Sequence, residues 1–63
     1  MSEKLELGIK YQDKISGMVG TLTGIVEYTN AATEGLLSRM DSAGRPIEQW
    51  FDEGRLVRVS DAF

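Results

Sequence analysis

The absence of cysteine and histidine from a chain of only 63 residues sets a tight limit on how this protein can fold. A domain of this length buries only about 60% of the surface that its unfolded chain exposes. Burial therefore barely offsets the loss of conformational entropy, and small domains usually add a disulfide, a structural metal or a second subunit. Without cysteine or histidine, no disulfide can form and no zinc site is expected. We therefore expect one domain, residues 1–63, with frayed tails at 1–4 and 60–63, that assembles as a homodimer or higher homo-oligomer.

The charge and hydropathy of the chain narrow the classes of function. The net charge is −3, which argues against a general nucleic-acid binder, because such proteins present a basic face. No apolar run approaches the ~20 residues of a membrane span, and the N-terminal residues lack the pattern of a signal peptide. We expect a cytoplasmic protein that binds neither nucleic acid nor membranes.

Hydrophobic periodicity predicts an all-β fold. Residues 33–40 also fit a short helix capped by Thr33, but a strand is favoured because β segments lie on both sides in so short a chain. Pro46 cannot donate to a β ladder and is expected at a strand start or on a sheet edge. The predicted strands cover residues 5–12, 21–28, 33–40, 45–50 and 55–59, with turns or loops at 13–20, 29–32, 41–44 and 52–54. About five short strands with tight turns are typical of a small, strongly bent, barrel-like sheet.

The segment Pro46–Val57 holds the only tryptophan and the only proline of the chain. Trp50 and Phe51 are neighbours on a predicted strand, so one ring points to each face of the sheet. One of them is expected in the core. The other either lies at a subunit interface or offers a stacking platform for a flat ligand.

No catalytic constellation is visible. The chain lacks histidine, cysteine and both the Ser-Lys and Gly-x-Ser-x-Gly patterns of nucleophilic catalysis. Gly17, Gly20 and Gly24 lack the spacing of a dinucleotide-binding loop and are interpreted as corners of a bent sheet. Asp52 and Glu53 are interpreted as a solvated turn. We therefore predict that the protein is not an enzyme and has no catalytic residues, metal or cofactor.

Several side chains nevertheless suit a nucleotide. Arg39 and Arg45 flank the predicted hairpin turn, where they either pair with nearby carboxylates or clamp a phosphate. Tyr28 and Asn30 follow the strongest strand and either complete the core and a turn or supply a ring and an amide to a ligand. The candidate ligand-binding residues are Tyr28, Asn30, Arg39, Arg45, Trp50 and Phe51.

Four segments of the chain resemble a group of very small phage proteins. The matching motifs are Asp13–Gly17 (DK-x-S-G), Gly20–Tyr28 (with a T-G pair and a final tyrosine), Gly44–Glu53 and the Trp-Phe-Asp-Glu-x-Arg-Leu element at 50–56, which is the most specific. The similarity covers roughly residues 10 to 57 and implies a small SH3-like β barrel.

The resemblance also implies a function. Proteins of this group look like anti-defence sponges, which counter the Thoeris TIR system by sequestering cyclic ADP-ribose signals in the host cytoplasm without cleaving them. Such binding needs stacking rings and phosphate partners, and a barrel of this size needs a second protomer to enclose the ligand. The rings would be Trp50 or Phe51 with Tyr28, the phosphate partners Arg39 and Arg45, and the polar contact Asn30.

A different class of function is also open. The protein would then be a phage-encoded interaction module that inhibits a host protein through an exposed aromatic surface, as SH3-like barrels often bind peptides. Its contact residues would be Trp50, Phe51 and Phe63. This alternative predicts that the rings, rather than the arginines, carry the binding.

Overall fold

The computed structural model describes residues 5–59, in which five strands form one antiparallel sheet. A 3-10 turn, Glu53–Arg55, precedes strand β5, and the order across the sheet is β4-β3-β2-β1-β5. The strands are β1 (Lys10–Asp13), β2 (Val19–Val26), β3 (Glu34–Met40), β4 (Pro46–Asp52) and β5 (Leu56–Arg58). The predicted all-β fold with about five short strands is confirmed. The tails predicted at 1–4 and 60–63, and Phe63 with them, lie outside the described residues.

Strand β1 is shorter than the alternating sequence predicts. The pattern at 5–12 predicts a strand that begins at Leu5, whereas the strand begins at Lys10. Before it, Gly8 and Ile9 each share one backbone hydrogen bond with Leu22 of β2. Gly8 has a positive φ of 85°, which interrupts the extended backbone before the ladder starts. Leu5 and Ile9 still pack against the core, but Leu7 of the same alternation is 62% exposed, so the pattern before Gly8 predicts burial only in part.

The residues whose structure was ambiguous form strand β3, Glu34–Met40, as favoured from the sequence. β3 pairs with β4 across a turn that Asp41 organises. Its Oδ1 accepts hydrogen bonds from the backbone N–H groups of Ala43 (2.9 Å) and Arg45 (2.8 Å). Gly44 closes the turn with a positive φ of 83°. β4 lies at the edge of the sheet and begins at Pro46. A proline has no N–H to donate, and this position at the start of an edge strand does not require one.

One face of the sheet, called the inner face here, carries the core. At its centre the backbone of Gly35 in β3 packs directly against the side chain of Leu22. A Cβ at this position would lie 2.6 Å from a Leu22 methyl group, so only glycine fits there. The buried apolar side chains are Tyr11, Leu22, Leu37, Phe51 and Leu56. This core is small, so the loss of any one member should be costly.

The opposite face, called the outer face, is left uncovered by the described residues. β2 bulges between Leu22 and Gly24, and beyond the bulge Gly24 lies in one row with Leu36 of β3 and Trp50 of β4. Trp50 is 44% exposed on the outer face, whereas Phe51 is 4% exposed in the core. The prediction that one ring points inward and the other outward is confirmed, and the inward ring is Phe51.

No helix among residues 5–59 has the length and apolar character needed to cross a membrane.

Candidate functional site

The structure divides the six candidate ligand-binding residues into separate groups. Phe51 belongs to the core and is not available as a stacking ring. Trp50 lies on the outer face, and Tyr28, which donates a hydrogen bond to Glu34 (3.3 Å), lies near the same end of β3. Asn30 is exposed in the loop between β2 and β3. Sequence alone did not reveal this division, because it depends on strand register.

The two arginines lie at the other end of β3, and the structure distinguishes between them. Asp41 faces Arg45 across the hairpin, and Arg45 Nε donates to Asp41 Oδ2 at 3.3 Å. Arg39 faces Ile47 and forms no hydrogen bond or ion pair with any residue in 5–59, but its charge helps to lower the pKa of the Asp41 carboxyl, after the larger effect of the Arg45 N–H. A symmetric arginine clamp for phosphate is therefore not formed, and Arg39 is the cation available to a ligand.

Arg39 lines a cleft of about 530 Å³ on the inner face, beyond the edge of the core. Its walls come from the turn between β1 and β2 and from the β3–β4 hairpin. The lining residues besides Arg39 are Ser16, Gly17, Met18, Val19, Ile47 and Gln49. One guanidinium, one amide and one hydroxyl thus converge with apolar groups, a composition suited to a small polar ligand with a flat apolar part.

A buried ion pair fixes one wall of this cleft. Asp13 is fully buried, and both of its carboxylate oxygens accept hydrogen bonds from Arg55, Nε to Oδ1 and Nη2 to Oδ2, each at 2.8 Å. The N–H of Ser16 also donates to Asp13 Oδ2 (2.8 Å), and the N–H of Met18 donates to Ser16 Oγ (3.2 Å). The Arg55 guanidinium lies 5.3 Å from the centre of the Phe51 ring. The turn at 14–18 is therefore held in place from the far end of the chain.

This pair gives the sequence motifs a structural explanation. The Asp13–Gly17 motif supplies the carboxylate and the turn, and the Trp-Phe-Asp-Glu-x-Arg-Leu element supplies the arginine. The hydrogen bond from Arg55 holds the pKa of the Asp13 carboxyl well below its usual range, although burial opposes that shift. The same contact raises the pKa of Arg55. These residues position the cleft and do not themselves offer free groups to a ligand.

Sequence reasoning missed most of the residues that line the cleft. Ser16 and Met18 were part of a predicted corner, and nothing in the sequence placed that corner opposite the β3–β4 hairpin. A signal did exist for the hairpin, because Ile47 and Gln49 share the period of two with the core residue Phe51. That pattern places them on the inner face beside Arg39.

The residues in 5–59 hold no group of three or more acidic side chains arranged to bind a metal ion. Comparison of the chain with protein families, with curated proteins and with solved structures finds no match. The chemistry of the cleft and of the two sheet faces is therefore the basis for assigning a function.

Proposed function

We propose that the protein sequesters a small anionic nucleotide, of the cyclic ADP-ribose class that the sequence resemblance implies, in the Arg39 cleft and does not cleave it. The observation that carries this proposal is Arg39 itself. Its guanidinium forms no hydrogen bond or ion pair with the residues at 5–59, although its charge attracts the Asp41 carboxylate from a longer distance. It lines an open cleft of about 530 Å³, a volume within the roughly 300–1,000 Å³ typical of small-molecule sites. A guanidinium is well suited to bind a phosphate, because it donates two parallel hydrogen bonds to its oxygens.

The rest of the lining supports a nucleotide over a bare phosphate. Gln49 offers both a donor and an acceptor to the edge of a base, and Met18 and Ile47 offer apolar surface to its face. Ser16 is the one hydroxyl in the lining, and its oxygen already accepts a backbone hydrogen bond. The lining contains no carboxylate and no histidine to act as a base, which favours binding without turnover.

An SH3-like barrel and a homodimer belong to the same proposal. The barrel is supported by the strand order, in which β1 lies between β2 and β5, and by the 3-10 turn before β5. The dimer is supported by the small core and by a cleft that one protomer leaves open to solvent. Enclosing the ligand would require surface from a second copy. Sedimentation with and without ligand measures that state directly.

The first test is a thermal shift of the protein against cyclic ADP-ribose isomers and cyclic dinucleotides. One ligand at about 100 times its Kd adds roughly 2.7 kcal/mol of stability. In a domain this small, that raises the melting temperature by about 10 °C or more. We expect one cyclic ADP-ribose isomer to produce this shift and to be recovered intact after denaturation.

Two matched variants locate the site. Arg39→Gln should remove most of the ligand-induced shift while leaving the melting temperature of the free protein nearly unchanged, because Arg39 is exposed and attracts Asp41 only from beyond ion-pair distance. Arg45→Gln removes the same charge outside the cleft and should keep the shift. A flat response across the panel, or equal losses in both variants, would contradict the proposal.

A further inference from the structure

The outer face of the sheet carries a second surface, chemically unlike the Arg39 cleft. Its centre is the row formed by Trp50, Leu36 and Gly24 on three adjacent strands. The indole reaches across β3, so that a Cβ at Gly24 would lie 3.5 Å from its Cη2 atom. The missing side chain at Gly24 thus lets the ring lie along the sheet with one side open to solvent. We call this row, with the acidic residues around it, the Trp50 face.

Carboxylates surround the indole. Glu48 and Asp52 precede and follow Trp50 at the outward-facing positions of β4, and Glu34 lies directly opposite Asp52 on β3. Two like charges opposite each other on adjacent strands are unfavourable. Neither Glu34 nor Asp52 forms an ion pair with any residue in 5–59.

No basic residue of β2, β3 or β4 occupies an outward-facing position. Arg39 points to the inner face, and the Arg55 that follows β4 is paired with Asp13, although its charge also attracts Asp52. The nearest outward-facing cation is Lys10 of β1, which lies three strands from Glu48 in the row of Thr21 and Ser38. The Trp50 face therefore has acidic and aromatic character across three strands, within the part of the chain that the structure describes.

A row of hydrogen bonds fixes one of these carboxylates. Ser38 Oγ donates to Glu48 Oε2 at 3.2 Å, and Thr23 Oγ1 lies 2.7 Å from Ser38 Oγ. Because the Ser38 proton points at Glu48, the Thr23 hydroxyl donates to Ser38. This row holds Glu48 beside the indole and leaves its other oxygen available to an incoming donor.

Charge distinguishes between the possible occupants of this face. A second copy docking by the same face would bring two sets of carboxylates together, which is unfavourable. An anionic nucleotide would be repelled for the same reason. A guanidinium or ammonium group would stack on the open side of the indole and relieve the repulsion between Glu34 and Asp52.

We propose that the Trp50 face binds a basic segment of a protein partner, with an arginine or lysine over the indole and between the carboxylates. This surface is separate from the Arg39 cleft and does not depend on the function proposed for that cleft. The exposed Met40 and the half-buried Leu36 supply apolar contacts to the residues beside the cation.

Trp50 is the only tryptophan in the chain, so its fluorescence reports directly on this surface. The probe is a short synthetic peptide of alternating arginine and valine, with a peptide of alternating glutamate and valine as its counterpart. We expect the basic peptide alone to change the Trp50 emission saturably, with an affinity that falls as salt is raised. Labelled peptide in an anisotropy assay gives the Kd independently of the indole.

Paired variants separate the Trp50 face from overall charge. Glu48→Gln combined with Asp52→Asn should weaken peptide binding by at least about tenfold. Glu6→Gln combined with Asp41→Asn removes the same net charge elsewhere and should leave the Kd within about twofold. Circular dichroism confirms that each variant is folded.

Three results would overturn the proposal. The first is equal binding of the acidic peptide, and the second is equal weakening by both pairs of substitutions. The third is a change in Trp50 emission with protein concentration alone, accompanied by dimerisation in sedimentation. That last result would assign the Trp50 face to a second copy of the chain. Because Arg39→Gln should not affect peptide binding, this test fails or succeeds separately from the nucleotide experiment.

Discussion

Asp13→Asn is expected to lower the melting temperature at neutral pH by more than about 10 °C. The substitution keeps the shape of the side chain but removes its charge, so Arg55 loses a partner that accepts two hydrogen bonds at 2.8 Å. Asp13 is fully buried and accepts from Arg55 and from the N–H of Ser16, so the asparagine NH2 group would place a buried donor against other donors and leave it unsatisfied. The Arg55 side chain is 38% exposed, so water compensates part of its lost pairing. Thermal unfolding followed by circular dichroism measures the effect.

The same pair predicts how the stability of the protein depends on pH. The folded state holds the pKa of Asp13 below its unfolded value, so its contribution is complete above the unfolded pKa and is lost as pH falls towards the folded value. We expect a melting temperature that is steady from about pH 8 to pH 5 and falls below about pH 4. In Asp13→Asn the fall of the melting temperature below about pH 4 should be smaller. It should not vanish, because the N–H of Arg45 lowers the pKa of Asp41 as well.

Asp41→Asn is the control for this prediction. Its side chain lies in the hairpin turn, where asparagine can accept the same two backbone hydrogen bonds. We expect a change in melting temperature of no more than about 4 °C. If Asp13→Asn were no more destabilising than Asp41→Asn, the Asp13–Arg55 pair would not be what anchors the turn at 14–18.

Phe51→Ala is expected to unfold the protein at room temperature. Truncating a buried phenylalanine costs about 3–5 kcal/mol, and a single core of this size rarely supplies more than that in total. Phe51 is 4% exposed and also lies under the Arg55 guanidinium, so the substitution removes two kinds of contact. The measurement is chemical denaturation, with loss of the cooperative transition as the expected outcome.

The adjacent residue provides the matched comparison. Trp50→Ala removes a larger ring from the outer face, yet we expect a loss of no more than about 1.5 kcal/mol, because the ring is already 44% exposed. Phe51→Leu should cost about 1 kcal/mol and keep the protein folded, which allows the core to be tested quantitatively. A loss of about 3 kcal/mol or more in Trp50→Ala, as large as that expected for a buried ring, would show that the outer face is covered in solution.

Much of the fold was predictable because short strands with glycine-rich turns leave local signals. The strand at Glu34–Met40 and the turn centred on Asp41 were both predicted from residue types. The start of β1 was not, because the alternation from Leu5 runs through Gly8, whose positive φ interrupts the strand, and includes Leu7, which is exposed. Gly8, which interrupts the extended backbone, was the one local sign in the sequence that the strand begins later than Leu5.

The candidate site was less predictable because it depends on register and on distant contacts. The six candidate residues were chosen by chemistry, and register then placed Trp50 and Arg39 on opposite faces of the sheet. Asp13 and Arg55 are 42 residues apart, and no local pattern pairs them. Of the candidates, Arg39 is the one that lines the cleft, whereas Arg45 took the alternative of pairing with Asp41.

The position of β1 between β2 and β5 has a consequence for synthesis on the ribosome. The hairpin of β3 and β4 needs only its own turn and can form as soon as it emerges from the exit tunnel. β1 is made early, yet it lacks one neighbour until the 3-10 turn and β5 have followed. Until Arg55 has been synthesised, the Asp13 carboxylate lacks its ion-pair partner, and burying an unpaired carboxylate is unfavourable. The nascent chain therefore completes its five-stranded sheet, and the ion pair with it, only after its last strand has been made.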